Sequence, residues 1–474
     1  MIIALVSIYI ITALWAIFSI LLYGNRPARS ISWLFIVIFF PFLGVFFFVI
    51  FGVNRKKFKF FTLNFNAKRK LYEFNYDNDN IQEFTRKEHS ANYEKIDNLM
   101  SKSSGFPTVK GNKIDLLKDG ETTFDALFKS FRNAKKFIHI QYYILGEGQL
   151  LDEIIEIFTE KIKEGVEVRI LYDAVGSYSW KNKSIKKLKK IGADVYPILP
   201  LNVSSILSTI NYRNHRKIAI IDGYIAFCGG VNVSDKYIEE ESELGIWDDT
   251  HLKIQGPAVG QLHRIFIKDY YFASNEFSLC DEKYLPRLEQ KGDVLLQVIA
   301  GGPDFDYLSI LHQYLMMISC AENSIYIENP YFIPNKALLE ALKMSVLGGI
   351  DVHIMVPKSN DSWLAKHSMF ANFEDLLMAG VKIYVYKETF SHSKLMIVDN
   401  EIASVGSGNF DFRSFEYNYE VNTLIYDKDL AQELTDDFKK NIENCNILDY
   451  ETFKQRSIFT KLVEGYAKIF SPLL

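Results

Sequence analysis

At 474 residues with 48% hydrophobic side chains, the chain is long enough for two ordinary cores and too apolar for an extended disordered protein. Its net charge of −4 supplies no general attraction to a polyanion, so nucleic-acid binding is disfavoured without a local basic patch. Cys228, Cys280, Cys320 and Cys445 lie far apart with no C-x-x-C pair, which speaks against a disulfide framework or a zinc site and fits a reducing compartment.

No charged residue occurs from Met1 to Tyr23, and none again from Ile31 to Val53. Each stretch reaches the roughly 20 residues needed to cross a bilayer. Together they predict a transmembrane hairpin over residues 1–53, with spans at about 2–23 and 32–53. The first stretch lacks a basic leader and an A-x-A-like exit, so it does not read as a cleaved signal. Arg26 and Arg29 lie between the spans, whereas Arg55, Lys56, Lys57, Lys59, Lys68, Arg69 and Lys70 follow the second. The heavier basic flank stays inside, so a multi-pass protein of the cell membrane is expected, with everything after Val53 in the cytoplasm.

A polar connector, 54–107, leads into alternating strands and helices. "KFIHIQYYIL" from Lys136 predicts a buried strand, Gln149 to Glu164 an amphipathic helix, "VEVRILYDA" a strand, and "SIKKLKKIGADVYPIL" a helix running into a strand. The order then repeats: "SIYIENPYFIP" from Ser324, a helix around Lys336 to Leu347, "IDVHIMVP" from Ile350 and "FEDLLMAGVKIYVY" from Phe373. Gly165 and Gly349 occupy matching turns, as do Gly192 and Gly380. The expected fold is α/β, with two duplicated lobes facing each other at 108–285 and 286–474.

The duplication is sharpest in polar residues. "NHRKIAIIDGYIAFCGGVNVSD" starts at Asn214 and "SHSKLMIVDNEIASVGSGNFDF" at Ser391. His215 and His392, Lys217 and Lys394, Asp222 and Asp399, Gly229 and Gly406, and Asn232 and Asn409 are all 177 residues apart (392 − 215 = 177). In a strand, residues two apart share a face, so each lysine lies beside its histidine. A neighbouring ammonium disfavours the imidazolium and leaves a neutral ring able to attack. The lysines and asparagines are donors suited to a phosphate whose oxygens gain charge in the transition state. Two facing half-sites would supply one histidine to attack phosphorus and another to protonate the leaving alkoxide.

"HRKIAIID…GGVN" and "HSKLMIVD…GSGN" resemble the paired H-x-K-x4-D signatures of the phospholipase D superfamily. Within it, the two N-terminal spans around "NRPARS", then "NYRNHRK", "WDDTHLKIQGP", "ENPYFIP", "DFRSFEYNYEVN" and "SPLL", resemble the bacterial cardiolipin synthases over almost the whole chain. The resemblance implies His215 as the nucleophile forming a phosphohistidine and His392 as the general acid/base. Lys217, Lys394, Asp222 and Asp399 belong to the catalytic signatures, with Asn232 and Asn409 on the phosphate; the two signature aspartates themselves read as anchors of the turn after each strand. An acidic residue downstream of each motif braces an imidazole, and Asp249 and Glu420 sit at matching places for it (420 − 249 = 171). Arg213 and Arg413 are candidates for a second lipid phosphate or for surface roles.

The implied reaction moves a phosphatidyl group from one phosphatidylglycerol to another, giving cardiolipin and glycerol. Phosphatidylglycerol and anionic membrane lipids are the expected partners, and nucleic acid is not. A phospholipase D-type hydrolase with water as acceptor is the alternative, because only the acceptor differs. Exchange of one phosphodiester for another is close to thermoneutral, and the chain holds no Walker motif, dinucleotide fingerprint or ligand-spaced cluster. No cofactor and no metal are expected. Six lysines from Lys181 to Lys190 read as a solvated helix face or a patch on anionic lipid.

Overall fold

The computed structural model describes residues 2–23, 27–40, 42–52, 91–177, 182–200, 211–239, 242, 244–279, 281 and 283–474. The basic flank at 55–70, most of the connector, Lys181 and Cys280 lie outside these.

The first half contributes strands β1 Val109–Leu117, β2 Phe137–Tyr142, β3 Glu167–Asp173, β4 Asp194–Ile198, β5 Arg213–Asn214, β6 Ile218–Ile221, β7 Ile225–Gly229, β8 Ile246–Asp248 and β9 His251–Gln255. The second contributes β10 Val294–Gly301, β11 Ser324–Glu328, β12 Asp351–Val356, β13 Lys382–Tyr386, β14 Thr389–Ser391, β15 Leu395–Val398, β16 Ile402–Gly406, β17 Asn418–Tyr426 and β18 Cys445–Ile447. Outward from β1 the order is β1-β9-β7-β6-β2-β3-β4; outward from β10 it is β10-β17-β16-β15-β11-β12-β13-β18. The two orders match strand for strand up to the added β18. Antiparallel pairing of β1 with β10 joins them into one sheet. This is the duplicated α/β architecture the repeat predicts.

Side-chain alternation sorts the sheet faces. Ile218 and Ile220 of β6 and Leu395 and Ile397 of β15 enter one core shared by both lobes, with the helices Ala258–Ser274 and Lys428–Asn441. Ala219 and Ile221 face a separate core under the helices Gly120–Asn133 and Gln149–Lys163, while Met396 and Val398 face its counterpart in the second lobe. The glycines at matching turns have a physical reason: Gly165 and Gly349 sit at φ +89° and +97°, Gly192 and Gly380 at +102° and +107°. That region strains any residue carrying a Cβ.

Two expectations need correction. Residues 91–104, assigned to the connector, form a helix whose Ile96 and Met100 are buried in the second lobe's core. The second expected span is not one helix. It runs Pro27–Phe39, breaks, resumes as Leu43–Phe47 and ends in a π-helical turn, Phe48–Gly52. A proline at 41 is the sequence reason, because it lacks an N–H and disfavours helix at the residue before it. These pieces fold back on the 22-residue helix Ile2–Tyr23, burying Ala16, Val37 and Phe48, with Tyr9 donating to the Val37 carbonyl at 3.0 Å. Among the described residues no helix is long and apolar enough to cross a membrane.

Candidate active site

Two very short strand pairs cross between the lobes. β5 pairs in parallel with the start of β17, Arg213 beside Asn418 and Asn214 beside Tyr419, and the His215 amide donates to the Tyr419 carbonyl at 2.9 Å. β14 pairs in parallel with β8, Ser391 beside Asp248, and the His392 amide donates to the Asp248 carbonyl at 2.7 Å. Each histidine is thereby registered against the chain just before the other lobe's carboxylate. Arg216 strengthens the first crossing: its guanidinium grips Asp269 at 2.7 and 2.8 Å and reaches the Glu420 carbonyl at 3.2 Å.

The braces are accordingly exchanged. His215 Nδ1 lies 3.0 Å from Glu420 Oε2, and His392 Nδ1 lies 2.7 Å from Asp249 Oδ2. A carboxylate accepts only, so each Nδ1 carries the proton and each Nε2 keeps a lone pair. The expectation of a carboxylate downstream of each motif holds for Asp249 and Glu420 as residues; each serves the partner motif's histidine.

His215, His392, Asn232 and Asn409 all line one cleft of about 730 Å³ between the lobes. The Asn232 side-chain oxygen accepts from the Ile144 amide at 3.2 Å, and its side chain also hydrogen-bonds Tyr237. Lys217 and Lys394 are fully buried just behind the histidines, each donating to the carbonyl of its own histidine, Lys217 at 2.7 Å. Lys394 Nζ also lies 2.9 Å from His392 Nδ1.

Burial is the main cause of the electrostatics. It pushes His215 below the ordinary histidine value against the pull of Glu420, and with Lys394 and Lys217 it holds His392 well below. The ammonium neighbours thus act as expected but are secondary to desolvation. Lys217 is pushed well down and Lys394 to about 8, again by burial first. Burial lifts Asp249 to about 6. For Glu420 burial acts upward, but His215, Lys217 and Ser407 outweigh it and keep the carboxyl below its usual value.

Asp222 and Asp399 are not in the cleft. They lie past the far ends of β6 and β15 at φ 54° and 55°. Asp222 accepts from the amides of Lys135, Lys136 and Phe137 at 2.6 to 2.9 Å, and Asp399 from those of Glu322, Asn323 and Ser324 at 2.7 to 2.8 Å. They tie the strand turn to the start of the neighbouring strand, and neither lines the cleft with His215 and His392. Arg213 and Arg413 both border the cleft; Arg213 is buried against Asp173 at 3.2 Å, and Arg413 donates to the Asn211 carbonyl at 2.9 Å.

Residues the sequence did not single out complete the site. Tyr237 donates to Asp249 at 3.1 Å, and Ser407, Ser414 and Asn418 donate to Glu420 at 2.5, 3.0 and 3.2 Å. Ser407 was within reach as the middle of G-S-G-N; Tyr237 carries no motif at all. The rings of Tyr143 and Trp247 lie 4.9 and 5.7 Å from His215 and His392. Among the described residues no His, Cys, Asp and Glu cluster has the geometry to hold a metal ion. The lysines at 183–190 lie on a helix, Asn182–Lys190, with Leu188 buried beneath them.

The family described as "Cardiolipin synthase, PLD-like domain" matches residues 127–270 and 314–442, and "Phospholipase_D-nuclease N-terminal" matches 11–52. A cardiolipin synthase of Geobacillus sp. (strain WCH70) is 38% identical over 96% of this chain and 91% of its own length. Another, from Halalkalibacterium halodurans, is 37% identical over 98% and 92%. The crystal structure of a phosphatidylserine synthase from Haemophilus influenzae Rd KW20 superposes with a TM-score of 0.61 at 16% identity, over 80% of this chain and 100% of that one, a likeness of fold. The repeated signature, the matched lobes and the near full-length identity agree: this chain belongs to the cardiolipin synthase family of phospholipase D-like proteins.

Proposed function

We propose that the protein is a phosphatidyltransferase that joins two phosphatidylglycerols into cardiolipin and releases glycerol. The observation that carries the reading is the pair of histidines in one cleft, each braced at Nδ1 by a carboxylate of the opposite lobe. His215 Nε2 attacks phosphorus, forming the N–P bond; the P–O bond to glycerol breaks with its electron pair on oxygen, and His392 Nε2 supplies the proton. A second phosphatidylglycerol hydroxyl then gives its proton to His392 and its oxygen displaces His215. Both rings are neutral in the free site, and a phosphodiester anion between them and the two lysines raises the affinity for the proton that His392 must carry. Lys217, Lys394, Asn232 and Asn409 donate to the phosphoryl oxygens as charge builds. The domain division follows as a hairpin at 1–53, a connector whose last part packs as a helix, and lobes at about 108–285 and 286–474.

The same reading places the N-terminal segment in the bilayer. The helix Ile2–Tyr23 counts 22 residues and carries no charged side chain. At about 1.5 Å per residue that is ~33 Å, against a hydrocarbon core of ~30 Å. Ile11, Phe18 and Leu21 along its outer side are each more than 60% exposed and have no protein core to enter. The lobes then lie on the cytoplasmic side.

Purified protein given phosphatidylglycerol alone should yield cardiolipin and glycerol. Phosphatidic acid as the sole lipid product would replace the transferase with a hydrolase.

A further inference from the structure

The helix Ile458–Ile469 is amphipathic in the wrong sense for a soluble protein. Its inward face carries Glu464, buried and paired with Arg456 at 2.9 Å, and Ala467. Lys461 turns toward Glu374 at 3.3 Å, and Lys468 toward the Ala371 carbonyl at 3.2 Å. The outward face is Ile458, Phe459, Leu462, Tyr466 and Ile469, each 57 to 79% exposed, continued by Leu473. These positions follow the helical repeat, so they form one stripe. A surface helix normally buries that stripe and wets its charges; here the arrangement is reversed. No side chain covers the centre of the helix at Gly465, where an added Cβ would meet open space.

The position of the stripe tells what it meets. The helix packs on Trp363–Phe370, whose Ala365, with Ser362 before it, lines the cleft, and the chain beyond the stripe ends at Leu474, also in the cleft wall. Trp363 is itself 56% exposed. The apolar stripe and a half-exposed indole thus lie on a helix pair that contributes to the wall of the cleft into which a substrate with two acyl chains must pass. Indole and phenol rings favour the headgroup layer, and apolar helix faces sink into it. We infer that this stripe docks on the anionic phospholipid surface and seats the cleft entrance on the bilayer. The inference rests on the lipid-transfer reading and adds the route by which lipid reaches the site.

The full chain in phosphatidylglycerol vesicles, with the photo-crosslinker p-benzoylphenylalanine in place of Leu462, should give a lipid adduct on illumination. The same group at Lys440, exposed on another helix, should not. A cross-link to a second copy of the chain, or no adduct, would overturn the inference. In parallel, Phe459→Gln with Leu462→Gln should lower turnover of vesicle phosphatidylglycerol by about fivefold or more and leave turnover of monomeric short-chain phosphatidylglycerol within about twofold. Unchanged vesicle turnover, or equal loss on both substrates, would overturn docking. A lipid adduct from the chain substituted at 462, with a wild-type chain that turns over neither substrate, would instead sink the transferase reading and leave the docking surface standing.

Discussion

Glu420 receives three side-chain donors besides facing His215, whereas Asp249 receives Tyr237 and the Thr250 amide besides facing His392. The strands beneath are equivalent, so the difference lies in the side chains around each carboxylate. His215 and Lys217, with the Ser407 hydroxyl, hold the Glu420 carboxyl below its usual value in a dry site; burial lifts Asp249 to about 6. An always-ionised partner suits the ring that becomes cationic when it bonds phosphorus, and a partner near its titration point suits the ring that passes a proton back and forth. Equal backbones thus carry unequal chemistry, and the inequality favours His215 as the nucleophile.

The largest effect should come from the histidines. His215→Ala and His392→Ala should each lower kcat by about 10⁴-fold or more, with the double variant little worse, as for groups acting as one unit. If each left half the activity, the half-sites would be two independent sites. Rapid quenching with labelled phosphatidylglycerol refines this. His392→Ala should retain a labelled His215 and His215→Ala should label nothing; label on His392 would reverse the assignment.

The braces come next. Glu420→Gln should cost about 10²- to 10⁴-fold in kcat, since a neutral amide neither fixes the tautomer nor stabilises the cation, and Asp249→Asn should cost less. Equal losses would erase the asymmetry. The sign of the pH dependence is set by Asp249. As pH falls through about 6 in the free enzyme its carboxyl gains a proton and stops accepting the His392 Nδ1–H, so kcat/KM should fall on that limb, and Asp249→Asn should flatten it. A limb unchanged in that variant would assign the titration elsewhere.

Asp222→Ala and Asp399→Ala should do least to chemistry. Each strips acceptors from three backbone amides, so stability should drop by about 1–3 kcal/mol in a denaturant melt. Turnover per folded molecule should stay within about threefold, because neither residue reaches the cleft. A large loss of kcat at unchanged stability would return them to the catalytic group.

The offset of 177 residues in Lys217 and Lys394 or Asn232 and Asn409 made the lobes and the core of the site readable, because identical polar residues at one fixed spacing mark a duplication. The helix Lys336–Leu347 and the strand from Ser324 follow from period alone. The crossing was not readable. Equivalence by repeat says which residues correspond, not which touch, and the pairings that exchange the braces are two and three residues long, too short for a periodic signal. Tyr237 reaches Asp249 through tertiary packing with no local cue. The helix at 91–104 escaped because its sequence is polar on average and, among the described residues, Ile96 and Met100 are its only fully buried apolar side chains.

The exchange of braces also bears on how the enzyme is made. During translation the first lobe leaves the ribosome with His215 in place while Glu420 is more than two hundred residues from being synthesised (420 − 215 = 205). An imidazole without its carboxylate is neither oriented nor supported, so the nascent first lobe is expected to be inert toward the lipids around it, and a chain arrested before residue 418 should form no phosphatidyl adduct even if that lobe has folded. Activity is then expected to appear only once the second lobe has closed on the first.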